Sequence, residues 1–160
     1  MIDGAEALEI FRASGFTHVV WIPDSELGKW DQALASAGTP QLIRPCREGE
    51  AIAIAGGLCL GGAKPLVILQ CTGFFEAGDS FRNIVHDLKL PLVILIGVRS
   101  YHAHKEGRST DTCPVFTEPI LQAWELPFTV LEKSFTATDL EEALKRFVQG
   151  RRAGAVILAE

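Results

Sequence analysis

The sequence lacks a basic excess and any long apolar run, and each absence excludes a class of protein. It has 15 Lys and Arg against 20 Asp and Glu, giving a net charge of −5, whereas a nucleic-acid-binding protein needs a basic face. Its longest apolar candidate, Leu90 to Val98, is shorter than the ~18 residues that a membrane-spanning helix needs. We therefore expect neither a nucleic acid nor a membrane as a partner.

Cysteines are few as well. The four, Cys46, Cys59, Cys71 and Cys113, contain no Cys-x-x-Cys pair and no zinc-like spacing. The first residues also lack the charged and apolar segments of a secretion signal. These features predict a cytoplasmic protein with no metal site of its own.

The hydrophobic content of 48% and the mean hydropathy of +0.20 are high for a soluble chain. They suit either a sheet that is buried on both faces or an apolar surface that is used for association, so the chain could self-associate. A length of 160 residues suits one domain, and we expect residues 1–160 to form it.

Short apolar strands alternate with amphipathic or small-residue helices along the whole chain. We predict helices over 4–14, 25–36, 48–61, 76–89 and 115–124, and a last helix that begins at a Thr138–Glu141 capping box. We predict strands over 18–22, 41–43, 65–70, 92–98, 128–131 and 155–158, and a polar loop over 99–111. The pattern indicates a doubly wound α/β fold with a mainly parallel six-stranded sheet.

In such a sheet, ligands bind at the carboxyl ends of the strands. Polar or titratable residues follow four of the predicted strands, in the segments 23–25, 46–50, 71–75 and 99–104. We expect these segments to meet at one edge, which is therefore the candidate site.

The second of these segments opens a distinctive helix. Glu48 stands at the head of a run rich in Ala, Ile and Gly, and Gly57 follows nine positions later. This spacing resembles the pyrimidine-binding domain of thiamine diphosphate enzymes, and it selects Glu48 over Glu50. A carboxylate in the first turn of any helix is also stabilised by the helix dipole, so Glu48 has an ordinary structural explanation as well.

The resemblance extends over nearly the whole chain. The segments 20–25, 47–57, 69–73 and 116–121 occur in the order found in the alpha subunits of sulfopyruvate decarboxylases and in the matching half of phosphonopyruvate decarboxylases. The chain departs from that pattern at Phe74 and Phe75, where those enzymes have small residues. The resemblance implies a decarboxylase of a small acidic 2-oxo acid that uses thiamine diphosphate.

The resemblance also assigns roles. Glu48 would hydrogen-bond the pyrimidine nitrogen N1′ and so activate the cofactor. Thr72, Gly73 and Phe74 would contact the cofactor, with Thr72 and Gly73 in a turn. Asp24 and Ser25 would contact the substrate, although capping of the next helix explains both equally well.

His102 and His104 form a His-x-His pair in the predicted 99–111 loop. A third metal ligand at suitable spacing is missing, so we expect no metal there. The pair follows the fourth strand, where pyruvate-type decarboxylases carry histidines that assist proton transfer, and the resemblance implies a similar catalytic role.

The Gly-Asp-Gly signature of the diphosphate site, with its later Asn pair, is not found in this sequence. The resemblance therefore implies a separate beta subunit that binds the diphosphate and Mg²⁺, in an assembly of two copies of each chain or larger. Two alternatives stay open. The chain could belong to a thiamine diphosphate carboligase, or it could be a non-catalytic, flavodoxin-like scaffold domain.

Overall fold

A six-stranded parallel sheet forms the centre of the protein. The computed structural model describes residues 2–24 and 27–160, and every strand pairing in them is parallel, with the order β2-β1-β3-β4-β6-β5. The strands are β1 (His18–Trp21), β2 (Gln41–Ile43), β3 (Pro65–Gln70), β4 (Val93–Val98), β5 (Phe128–Leu131) and β6 (Gly154–Ala159). The doubly wound α/β fold expected from the sequence is confirmed.

Both faces of the sheet are apolar, as is usual for parallel sheets whose strands are joined by helical crossovers. Successive side chains of a strand point to opposite faces, and in β3 Val67 and Leu69 join one core cluster while Leu66 and Ile68 join the other. Every residue of β4 and β6 is buried. Helices must therefore cover both faces.

The helices divide between the two faces. Buried residues of α1 (Gly4–Ala13), α2 (Asp31–Ser36) and α8 (Ala137–Gly150) belong to one cluster. The other cluster receives residues of α3 (Glu48–Leu60), α4 (Cys71–Glu76), α5 (Gly78–Phe81), α6 (Tyr101–Lys105) and α7 (Cys113–Ala123). None of the helices in residues 2–24 and 27–160 is long and apolar enough to cross a membrane.

Two predicted helices were wrong in extent. The first two residues of the helix expected over 25–36 lie outside the described residues, and the rest contains a 3₁₀ turn at Gly28–Trp30 followed by α2. Trp30 is anchored by its indole N–H, which donates to the carbonyl of Ile2 at 3.2 Å. The helix expected over 76–89 starts earlier, because α4 follows β3 without a connecting loop. It then continues as α5 and a π-helical segment, Arg82–Asp87.

Two further predictions need correction. The polar loop expected over 99–111 contains a helix, α6. The residue before this helix, Ser100, has a left-handed backbone conformation with φ 59°. The last helix begins two residues earlier than the Thr138–Glu141 box predicts. Thr136 is its N-cap, and the hydroxyl of Thr136 accepts from the Asp139 backbone N–H while the Asp139 carboxylate accepts from the Thr136 backbone N–H.

The capping residue can be tested directly. Thr136→Ala removes the side-chain acceptor of the first turn of α8, and we expect the free energy of unfolding to fall by about 1 kcal/mol in urea titrations. The control is Thr138→Ala, which changes an exposed residue inside the helix and should alter stability by less than about 0.5 kcal/mol. A larger loss at Thr138 would contradict this assignment.

Candidate functional site

Four segments that follow successive strands of the sheet meet at its carboxyl edge. They surround a cavity of about 250 Å³, whose walls combine apolar and titratable side chains. The lining residues are Ile22, Pro23, Asp24, Glu48, Leu69, Gln70 and Arg99. The segments after β1, β2 and β4 supply lining residues as expected, whereas at β3 the lining residues are Leu69 and Gln70 of the strand itself. The predicted segment 71–75 approaches through Gly73, which packs against Glu48.

Glu48 enters the cavity from the first turn of α3. Its side chain is partly buried, and the backbone of Gly73 in α4 lies directly against it. A Cβ atom on Gly73 would lie only 2.4 Å from Cγ of Glu48 and 2.6 Å from its Oε1. Residue 73 must therefore be Gly if Glu48 is to keep this position.

Charged contacts hold the same helix start in place. The Glu76 carboxylate accepts from the Gly49 backbone N–H at 2.9 Å and also pairs with Arg47. These two interactions, the Gly49 N–H first, lower the pKa of Glu76. The residues on both sides of Glu48 are thus tied to the end of α4.

Glu50 has a different environment from Glu48. It is exposed, and its Oε2 accepts from the backbone N–H of Cys46 at 2.6 Å, so it closes a local turn. Glu50 does not line the cavity. The structure thus separates the two carboxylates in the way that the spacing predicts.

Asp24 lines the cavity, and it also closes a turn, because its Oδ1 accepts from the Leu27 backbone N–H at 2.8 Å. Both readings of Asp24, as a cap and as a cavity residue, are compatible with this position. Ser25, the other expected substrate contact, lies outside the described residues.

Thr72, Gly73 and Phe74 lie in α4, and the predicted turn at Thr72 and Gly73 is wrong. Thr72 is exposed, and its hydroxyl donates to Oε1 of Gln70 at 3.0 Å. Phe74 is buried in the core, where its ring packs edge-on against Phe81 at a centroid distance of 5.7 Å. Gly73 lies against Glu48 through its backbone position.

The two histidines lie on α6, so the predicted loop is wrong for them. His102 is beside the ends of β5 and β6, with its Nε2 3.5 Å from the Glu132 carboxylate and its backbone N–H donating to the carbonyl of Glu160. Neither histidine lines the cavity that contains Glu48. The structure therefore does not bring the expected catalytic pair to Glu48.

The sequence interpretation gave no role to two polar cavity residues, Gln70 and Arg99, although Arg99 begins the predicted segment 99–104. Arg99 Nε donates to Oδ2 of Asp111 at 3.0 Å, while Oδ1 of Asp111 accepts from the Cys113 backbone N–H at 3.0 Å. The Cys113 backbone N–H is the largest of the causes that lower the pKa of Asp111, followed by the Cys113 side chain and Arg99. Gln70 and Arg99 each come directly after the apolar run of a buried strand. A polar residue at the end of such a run is the sequence feature that could have identified them.

Cys71, the first residue of α4, is buried and does not line the cavity. Burial, with a smaller contribution from Cys113, raises the pKa of Cys71 to about 12, so this thiol is neutral at physiological pH. Among the described residues, no group of His, Cys, Asp and Glu could hold a metal ion. The reactive groups that the chain brings to the cavity are the carboxylates and the guanidinium.

Comparison with known proteins gives weak but consistent sequence matches. No protein-family model matches the chain. It is 26% identical over 131 residues to a phosphonopyruvate decarboxylase of Streptomyces viridochromogenes, covering 82% of this chain and 33% of that protein. It is 25% identical over 140 residues to a sulfopyruvate decarboxylase of Methanosarcina acetivorans, covering 87% of this chain and 35% of that protein.

A solved structure agrees with these matches. The thiamine diphosphate-dependent 4-hydroxybenzoylformate decarboxylase of Rhodococcus jostii superposes with a TM-score of 0.66 at 19% identity, over 98% of this chain and 29% of that one. The chain has the fold of a thiamine diphosphate enzyme domain. The resemblance found in the sequence is thus confirmed, although the chain spans only about a third of the length of the relatives it matches.

The contact between Gly73 and Glu48 predicts a coupled pair of substitutions. Gly73→Ala forces a Cβ into the Glu48 side chain, and we expect it to lower the free energy of unfolding by about 1–3 kcal/mol in urea titrations. In a Glu48→Ala background, most of this cost should disappear because the clashing atoms are gone.

The control is Gly57→Ala in α3, where an added Cβ meets nothing within 4 Å. That variant should gain about 0.5–1 kcal/mol, the usual difference between Gly and Ala inside a helix. Equal costs of Gly73→Ala in both backgrounds would contradict the contact.

Proposed function

We propose that the chain is the pyrimidine-binding part of a thiamine diphosphate-dependent decarboxylase that acts on a small acidic 2-oxo acid. The observation that carries this proposal is the position of Glu48, held against the backbone of Gly73 at the carboxyl edge of the sheet. The names of the relatives, a phosphonopyruvate and a sulfopyruvate decarboxylase, support the reaction and the substrate class.

The cavity residues fit the aminopyrimidine end of the cofactor. A flat aromatic ring needs apolar walls, which Ile22 and Leu69 offer, and a carboxyl group at its ring nitrogen, which Glu48 offers. The volume of about 250 Å³ is sufficient for such a ring. We infer that this chain binds the ring, with Gln70 as a further polar neighbour.

When bound, thiamine diphosphate supplies the carbanion chemistry that removal of CO₂ from a 2-oxo acid requires. The task of Glu48 is to share a proton with N1′ of the ring and to keep that nitrogen in register with its carboxyl group. The fixed start of α3 suits this task, because a proton is shared efficiently only when the two atoms stay within hydrogen-bond distance.

We propose that a beta subunit binds the diphosphate and Mg²⁺. The described residues offer no group of metal ligands, and the matched region makes up only 33–35% of the two relatives. An assembly of two alpha and two beta chains, or a larger one, would complete the site between subunits. We also propose a cytoplasmic location, which the four free cysteines support.

Glu48→Gln tests the proposal in the complex with the beta subunit, thiamine diphosphate and Mg²⁺. We expect the exchange of the cofactor's C2 hydrogen with D₂O to slow by about 10²- to 10⁴-fold, because the amide cannot share a proton with the ring. CO₂ release from sulfopyruvate and phosphonopyruvate should fall with it. The exchange measurement needs no substrate, so it reports on the cofactor alone.

The matched control is Glu50→Gln, which keeps an acceptor for the Cys46 N–H and should leave both rates unchanged. Unaltered C2 exchange in Glu48→Gln would refute the role of Glu48. Product analysis with an added aldehyde acceptor separates decarboxylation from carboligation, which would appear as a new carbon–carbon bond.

A further inference from the structure

We infer that Arg99 forms an anion subsite in the cavity and binds the second acidic group of the substrate, a sulfonate or a phosphonate, rather than its 2-oxo carboxylate. This inference rests on the proposed function and extends it to a residue that determines substrate specificity. It follows from the position of Arg99, from the way its guanidinium is held and from the charges of the cavity.

The position of Arg99 suits a substrate that lies beside the cofactor. Glu48 follows β2 and Arg99 follows β4, and β1 and β3 lie between these two strands in the sheet. The two side chains therefore reach the same cavity from opposite sides. A ring that is bound at Glu48 leaves the side of Arg99 for the other reactant.

The guanidinium is oriented by a short chain of contacts. Asp111 binds Nε of Arg99 through one carboxylate oxygen, and its other oxygen is held by the Cys113 backbone N–H at the start of α7. Because Asp111 is bonded through Nε, the fork formed by the two terminal nitrogens is the part of the guanidinium that we assign to the anion. Such a fork matches the oxygens of a sulfonate or phosphonate and binds them through paired charged hydrogen bonds.

The charges of the cavity favour this role. Arg99 is the one cation among the described lining residues, which also include the carboxylates of Asp24 and Glu48. A substrate with two negative groups would be repelled by those carboxylates if no cation faced it. Arg99 supplies that cation on the side away from Glu48.

Arg108 provides a matched comparison within the same connection. It is exposed and paired with Glu106, and it does not line the cavity. Arg99→Gln and Arg108→Gln each remove one positive charge, so they change the net charge of the chain equally. Any difference in binding or activity between the two variants therefore depends on where the lost charge was, and not on the net charge of the chain.

Binding is measured first, on the full chain, with sulfoacetate as a probe that carries a sulfonate and cannot be decarboxylated. In ¹⁵N NMR spectra, the Arg99 Nε–Hε resonance should shift saturably with sulfoacetate. The shift of neighbouring backbone signals should vanish in Arg99→Gln and persist in Arg108→Gln. Absence of a saturable shift in the wild-type chain would contradict the subsite.

Selectivity is measured next, on the complex with the beta subunit, with sulfopyruvate and with 2-oxobutyrate, which carries a methyl group in place of the sulfonate. Arg99→Gln should lower kcat/KM for sulfopyruvate by about 10- to 100-fold, the usual effect of a lost hydrogen bond to a charged group. The kcat/KM of Arg99→Gln for 2-oxobutyrate should change by less than about threefold. For sulfopyruvate, the kcat/KM of Arg99→Lys should lie between those of the wild type and Arg99→Gln, because Lys keeps the charge without the fork.

The outcomes separate this inference from the proposed function. Equal losses on both substrates would assign Arg99 to the shared carboxylate and overturn the inference, while the decarboxylase would stand. An unchanged preference for sulfopyruvate would also overturn it. A wild-type complex that releases CO₂ from neither substrate would count against the proposed function, and the NMR titration would still decide whether Arg99 binds the anion.

Discussion

The contact between Glu48 and Gly73 joins two helices that start at different strands of the sheet. α3 starts soon after β2 and α4 directly after β3, and β1 separates those strands. The missing side chain at Gly73 lets the two helix starts approach, since any Cβ would meet Glu48 at 2.4 Å. The pairing of Arg47 with Glu76 reinforces the approach from the other side of Glu48. The position of the Glu48 carboxyl group thus depends on how closely the backbones at the starts of α3 and α4 pack.

The distribution of polar residues follows from the same architecture. Strands that are buried on both faces cannot carry unpaired polar side chains without a large cost in desolvation. In β3, residues Pro65–Leu69 are buried and apolar, and the strand's one polar residue, Gln70, is its last. In β4 all six residues are buried, and Arg99 follows at once. A parallel sheet collects these ends at one edge, so the chemistry of the protein is concentrated there.

Local patterns were sufficient for the strands, and together with the flanking segments they singled out Glu48 as a candidate. All six strands were predicted within two residues of their observed bounds, because short β-branched and aliphatic runs between turn residues have few other structures available. Glu48 was found because a carboxylate, a small-residue helix and a distant Gly form a pattern within eleven residues. Information of this kind is contained in the local sequence.

The missed features depend on contacts between distant residues. Arg99 is oriented by Asp111, twelve positions later, and no periodicity reports such a pair. The Thr136 and Thr138 capping patterns overlap, so the sequence alone does not distinguish them. The change from α5 to the π-helical segment follows Phe81, which packs against Trp124, a contact that only the folded chain contains. Sequence reasoning therefore located the edge of the sheet that carries the site but only part of its lining.

The separation of the two histidines from the cavity has a chemical consequence for the proposed reaction. His102 lies beside the ends of β5 and β6, and neither His102 nor His104 lines the cavity, which lies across the ends of β1 to β4. Within the described chain, the carboxyl groups of Glu48 and Asp24 are then the acids and bases that face a reactant. Loss of CO₂ removes the 2-oxo carboxylate and must be followed by protonation of the remaining carbon. An acid group that stays bound at Arg99 through both steps would hold that carbon in place, so that the substrate's second charge contributes to positioning as well as to affinity.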